Sequence, residues 1–263
     1  MPTARLTDRA VLRIGGADAR DFLQGLLTAD LAAPLPLYAG LLSAQGKHMF
    51  DMIVHEGGGE YLLDVAADHA EALAARLKLY RLRREVTIDA SDAGVFGRWG
   101  GFDDNPDGDR APDPRLPELG ERWIGFEARA RASVDDYHRH RIALGVPDTT
   151  DMVDLLGLET NAAELHGVSF TKGCYVGQEN TARMHHKDRL RRRLLPVRLA
   201  GAASNAPLLA GDREAGTLRS RRGDLGIAYL RMEHADAPLT QSGAPVEVLW
   251  PRWLPRDAEQ SDA

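Results

Sequence analysis

The segment Lys172-Gly173-Cys174-Tyr175-Val176-Gly177-Gln178-Glu179 holds the only cysteine of the chain, and its neighbours are of the kinds that change what a thiol does. Two glycines frame the cysteine and an aromatic residue, and the polar residues from Gln178 to Asp188 have the composition of a helix. A thiol just before a helix N-terminus and close to Lys172 lies where the dipole and the cation both favour thiolate. Such a thiol can act as a nucleophile, a redox centre or a single metal ligand; the plain alternative is a buried structural cysteine. One cysteine cannot build a cluster site. Iron-sulfur clusters take about four thiolates, and the chain has no CxxC or zinc-type Cys/His spacing. No self-contained cluster is expected, and metal chemistry at Cys174 would be shared with a partner.

Asp51 is the second chemical candidate. It stands in a strand, His48 to Val54, where alternation puts it on one face with Met49 and Ile53 while Phe50, Met52 and Val54 take the other. Both faces are expected to be buried, so the carboxylate needs either a ligand or an internal partner such as Arg83. A third feature is charge. From Lys172 to Arg198 the cations Lys172, Arg183, Lys187, Arg189, Arg191, Arg192, Arg193 and Arg198 face only Glu179 and Asp188, in a chain of net charge −6. That stretch suits an anionic ligand or a solvated face. His185-His186 and the pair His138 and His140 cannot chelate unaided, because residues one or two apart on a helix point in different directions. They are expected at the surface or in packing. Gly57 to Gly59 reads as a hairpin tip and not a phosphate loop, since no Lys-Ser/Thr follows.

The elements that must position these residues have an α+β order. Val11 to Ile14 reads as a strand ending at Gly15-Gly16, after which Asp18 caps a helix with Phe22, Leu23, Leu26 and Leu27 on one face and Gln24 with Thr28 on another. Tyr38 to Leu42 pairs with His48 to Val54 through a turn at Gln45-Gly46. Tyr61 to Val65 is a strand, Asp68 to Arg81 a helix with Leu73, Leu77 and Tyr80 inward, and Val86 to Asp89 a strand. Residues 103–121, rich in proline and acid, read as a loop or a subdomain connection. Trp123 to Phe126 resumes strand character, and Ser133 with Asp136 opens a helix that stops at Gly145. Short β-like segments after Leu194 predict a small C-terminal barrel, followed by a polar tail. With 43% hydrophobic residues the chain can bury a sizeable core. No run reaches the roughly 18 apolar residues of a membrane helix, and Met1 to Arg9 shows no apolar signal core. A cytoplasmic setting with no membrane partner is expected.

These residues also resemble a known family. Lys172 to Glu179 resembles the signature of the YgfZ-type relatives of the glycine-cleavage T-protein, an aminomethyltransferase. Phe22-Leu23-Gln24-Gly25 with Thr28 and Asp30, Gln45-Gly46-Lys47 before Asp51, and Leu82-Arg83 before Val86 match the family's N-terminal pattern in order. So do Arg141-Ile142 with Gly145 and Pro147, Glu159, and Gly216 to Ser220 with Ile227-Ala228. The resemblance implies a T-protein-like folate-binding domain of ferredoxin-like subdomains (residues 1–192, split at about 1–100 and 121–192). A C-terminal β-barrel (193–254) and a tail (255–263) follow. It implies tetrahydrofolate or a one-carbon derivative bound by Asp51, Gln24, Arg83, Glu159, Lys172, Tyr175, Gln178 and Arg183, with Cys174 and Asp51 as the catalytic pair. The implied role is an accessory factor in maturing or repairing iron-sulfur proteins, tRNA-modifying enzymes included, with client or assembly proteins as partners. Two alternatives stand beside it. One is a folate-dependent aminomethyl or one-carbon transferase, although Asp51 follows Phe50 and Ala143 follows Arg141-Ile142 where T-proteins carry further acids. The other is an RNA contact through the basic stretch, where stacking aromatics are missing, so nucleic acid is not expected as a direct ligand.

Overall fold

The computed structural model describes residues 1–101, 110–126, 130–185 and 190–256. After β1 (Thr3–Arg5) come β2 (Arg9–Gly15), α1 (Ala19–Gln24), β3 (Leu37–Leu42), β4 (His48–Gly57), β5 (Glu60–Ala66), α2 (Ala70–Arg81) and β6 (Thr87–Ser91). Strands β3, β4, β5, β2 and β6 form a five-stranded antiparallel sheet in that order. Period-2 alternation gives β4 two buried faces. Phe50, Met52 and Val54 pack with Phe22, Leu23, Leu73 and Leu77 of α1 and α2, while Ile53, on the face of Asp51, packs with Tyr38, Leu116, Leu119 and Val146. Removing this apolar area from water stabilises the fold by roughly 1.5–3 kcal/mol per fully buried large side chain.

The second sheet joins β1 to β7 (Gly94–Arg98), β9 (Glu121–Gly125) and the two-residue β8 (Ala111–Pro112) in the order β1-β7-β9-β8. α3 (Val134–Ala143) carries the expected capping box: Asp136 N donates to Ser133 Oγ (3.1 Å) and Ser133 N to Asp136 Oδ2 (2.8 Å). α4 (Gln178–His185) leads to β10 (Arg192–Leu199), β11 (Leu208–Ala210), β12 (Arg213–Arg222), β13 (Leu225–Arg231), β14 (Leu239–Gln241) and β15 (Ala244–Val248). These six close into a barrel in the order β10-β13-β12-β11-β14-β15, around Leu195, Val197, Ala228, Leu230 and Val246. The α+β class and the C-terminal barrel are as the sequence predicts. No helix among the described residues is long and apolar enough to cross a membrane.

Two local expectations need correction. Asp18 occupies the N-cap position of α1 without bonding the helix; its Oδ2 accepts from Glu85 N (2.8 Å), tying the turn after α2 to the start of α1. α1 ends at Gln24, so Gln24 and Thr28 share no helical face. Gln24 bonds Asp30 (2.9 Å), and the Thr28 hydroxyl lies between Gly167 O and Gly40 N. In the proline-rich connection, as far as it is described, Asp113, Arg115, Leu116 and Leu119 are buried.

Those buried charges belong to a network that joins the two sheets. Asp64 of β5 is fully buried and accepts from Arg9 Nε of β2 (2.7 Å) and Arg122 Nε of β9 (2.5 Å). Arg115 grips Asp113 with two bonds (2.9 and 2.7 Å), and the Tyr137 hydroxyl accepts from Arg115 (3.0 Å) and Arg122 (2.9 Å). Burial pushes the Asp64 carboxyl up, but Arg122 and Arg9 outweigh it and hold it at about 2. Nearby His55 is pushed down to about 4 by burial, with Asp64 opposing.

Acid should therefore unfold the protein in two stages. His55 stays neutral in the fold to about 4, whereas the unfolded chain protonates near 6.5, so the unfolded state binds the extra proton between these values. Stability is expected to fall by about 3 kcal/mol as pH drops through that window. As pH falls from 3.8 to about 2 the paired form of Asp64 is lost, removing about 2 kcal/mol more. Urea midpoints measured against pH check this, and His55→Phe should flatten the upper stage.

Candidate functional site

The cysteine loop alternates in direction. Lys172 and Tyr175 point inward and are buried, while Gly173 and Cys174 are exposed. Lys172 Nζ donates to the carbonyls of Gln24 (2.6 Å), Leu27 (2.8 Å) and Ala29 (2.8 Å), where the chain leaves α1, and lies 5.4 Å over the Tyr175 ring. Burial pushes this ammonium down to about 8, with Asp30 opposing, so at neutral pH it is still charged. Downstream, Gly177 has φ +83 and abuts Ser43 O and Leu42, a conformation and a closeness that only glycine fits. Asn180 Nδ2 of α4 donates to Gln45 O (2.8 Å). The loop is thus held at both ends against the β3–β4 turn while its thiol faces solvent. Phe170, 39% exposed, stacks on His185 with ring centroids 3.7 Å apart, so an accessible aromatic pair lies on the elements flanking the loop. Sequence reasoning missed Phe170, whose only signal is an aromatic residue just upstream of the motif.

One sequence inference changes here. Lys172 spends its donors on carbonyls and is not directed at the thiol. Cys174 is exposed, so the buried-cysteine alternative is excluded.

Asp51 is buried in β4, on the face of Ile53. Its Oδ1 accepts from Thr149 Oγ1 (2.5 Å), and His48 Nε2 lies 3.6 Å away, an ion-pair distance beyond hydrogen-bond reach. Burial raises the carboxyl, but His48 and Arg9 outweigh it and keep it below the ordinary carboxylate range. Arg83 does not pair with it. That residue is exposed beyond the end of α2, because the helix stops at Arg81 and Leu82 turns the chain away. Across β3 from Asp51, Gly40 lines a cavity with Thr28, Tyr38, Leu42, His48, Gly157, Thr160 and Thr181. Its volume is about 10 Å³, room for a single water and not for a pterin.

The other residues proposed for folate do not converge on that space. Gln24 bonds Asp30 and Leu31 N. Glu159 accepts from Tyr229 OH (2.8 Å), a bond between the N-terminal region and the barrel. Tyr175 lies under Lys172, Gln178 opens α4, and Arg183 is exposed. In the basic stretch, Arg193 is buried on Glu164 (2.6 Å) and Asn161 (3.2 Å), Arg192 lies over Tyr229, and Arg198 pairs with Glu247 (2.6 Å). His186, Lys187, Asp188 and Arg189 lie outside the described residues. Among the described residues, those expected to hold folate do not line one common cavity, and no step is derived through it.

A further cluster meets metal-ligand distances: Asp8, His138 and Asp148, beside a cavity of about 320 Å³ that Arg9, Arg141 and Ser220 also line. His138 is buried, a packing residue as the sequence suggested. Arg141 Nε donates to its Nδ1 (2.9 Å), and that acceptor role leaves the proton on Nε2, which faces Asp8 Oδ2 (2.7 Å). A ring committed in this way has no lone pair for a metal, so the cluster is a hydrogen-bonded ion network.

Comparison with known proteins assigns the family. Residues 191–256 match the CAF17 C-terminal beta-barrel domain. The human mitochondrial iron-sulfur cluster assembly factor IBA57 is 34% identical, with 95% of this chain and 85% of that one covered. The mouse protein of the same name is 33% identical, with 97% and 86% covered. Among solved structures, the glycine cleavage system aminomethyltransferase T from Bartonella henselae superposes with a TM-score of 0.75 over 96% of this chain and 86% of that one. At 15% identity that likeness is one of fold. The cytoplasmic expectation is overturned, since these relatives are mitochondrial. A lone cysteine and the absence of an apolar signal core suit any reducing compartment, so they could not single out the cytoplasm. The T-protein-like fold and the kinship with iron-sulfur assembly factors are borne out: the chain belongs to the IBA57 family of iron-sulfur cluster assembly factors.

Proposed function

We propose that the chain acts as an accessory factor in the maturation of iron-sulfur proteins, lending the Cys174 thiolate as one ligand in a cluster-handling step whose other thiolates come from a partner. The observation that carries this reading is the loop: Lys172, Gly177 and Asn180 fix its backbone, yet Cys174 stands in solvent. A thiol that served packing would be turned inward; one that meets a partner's cluster must be both ordered and accessible. The clients proposed are iron-sulfur enzymes, tRNA-modifying ones included, as the family resemblance implies. Tetrahydrofolate stays outside the proposal because the described residues expected to hold it do not line one common cavity.

Aminomethyl transfer is not favoured. Asp51 is bonded to Thr149, and His48 at 3.6 Å together with the charge of Arg9 keeps it ionised and occupied. The functional test is complementation: expressed in cells depleted of their own IBA57-type factor, the chain should restore the activity of iron-sulfur enzymes. Folded, accumulating protein that restores none of it would contradict the proposal.

A further inference from the structure

The end of α2 shows features that neither the fold nor the cysteine loop explains. Leu82 is 86% exposed and Leu79 is 70% exposed, the first and third highest values among the large apolar side chains described, with Phe126 between them. Leu82 also has φ +50 and ψ −115, a conformation that glycine takes freely and leucine takes only under strain. Neither leucine joins a core cluster, although Leu73 and Leu77 of the same helix do. A turn that only had to reverse the chain would be served better by glycine.

Around the two leucines the sequence sets Arg76, Lys78, Arg81, Arg83 and Arg84 against Glu85 alone, in a chain of net charge −6. Arg81 reaches Val86 O (3.5 Å) and Arg84 lies over Phe22. Arg76, Lys78 and Arg83 enter no ion pair among the described residues. Cations at a helix C-terminus offset its dipole, which accounts for some of this charge but not for exposed leucines beside it. Apolar knobs ringed by unpaired cations complement an acidic surface with an apolar stripe.

We propose that Leu79 to Arg84 is a docking site for an acidic amphipathic helix of a partner protein. Leu79 and Leu82 enter the apolar face of that helix, and Arg76, Lys78 and Arg83 meet its carboxylates. A lipid surface rewards apolar area and charge without asking for a fixed backbone. A leucine held in a strained turn is useful to a partner of fixed shape.

The test is a titration of the full chain with a labelled helical peptide of Leu-Glu-Glu-Leu-Ala-Glu-Glu repeats, read by fluorescence anisotropy. Saturable binding is expected, weakening with added salt and falling about tenfold or more in Leu82→Gly and in Lys78→Glu/Arg83→Glu. Leu82→Gly should melt no lower than the wild type, because glycine relieves the turn. No saturable binding, unchanged binding by Leu82→Gly, or a lower melting temperature for that variant would each overturn the proposal. So would flotation with anionic phospholipid vesicles that depends on Leu82 while the peptide does not bind.

Discussion

Asp64→Ala is expected to cost about 3–5 kcal/mol, a large share of the usual total stability of about 5–15 kcal/mol. Asp64 is fully buried, and each of its carboxylate oxygens holds a different guanidinium. Without it, Arg9 and Arg122 remain buried next to each other, and each cation disfavours the other. The damage is structural in a specific way, because Arg9 and Asp64 belong to the five-stranded sheet and Arg122 to the four-stranded one. Urea denaturation should show a much lower midpoint, with Asp64→Asn falling between the variant and the wild type. A midpoint within error of the wild type would mean that apolar packing alone holds the sheets together.

Lys172→Met should lose about 3 kcal/mol, since the three carbonyls that the ammonium satisfies lose their donor while side-chain volume is kept. Lys172→Arg is not expected to rescue it. A planar fork cannot place three donors on carbonyls that converge on one point. The loss reaches function through position: Cys174 is still present, but its loop is no longer anchored to the end of α1. Hydrogen exchange at Gly173 to Val176 should accelerate more than exchange in the barrel. Equal acceleration everywhere would assign Lys172 to global stability and not to the loop.

Much of this architecture could be read from the chain. Alternation along β4 placed Asp51 between two buried faces, Gln45-Gly46 marked the β3–β4 turn, and Ser133 with Asp136 marked the start of α3. Local chemistry fixes these features, so local reading finds them. What stayed hidden is the pairing of distant charges. Arg9 with Asp64 and Arg122 with Asp64 lie 55 and 58 residues apart, and no period or spacing signals them. Asp113 and Arg115 were concealed by their prolines and acids, which mark a connection but do not show the pair closed on itself inside the protein. The cysteine motif was legible as a site, but its lysine was misdirected: three backbone carbonyls, which carry no residue identity, are its partners. Arg83 was lost as a candidate for a related reason, because the positive φ of Leu82 turns it out to solvent.

An exposed thiol on an anchored loop leads to one decisive comparison, Cys174→Ala against wild type in cells depleted of their own factor. The variant should accumulate as folded protein with a melting temperature near that of the wild type, because an exposed side chain contributes within about 0.5 kcal/mol. Yet the client enzymes are expected to remain without clusters, as read from their iron content and activity. Full restoration of client clusters by Cys174→Ala would contradict a working thiol.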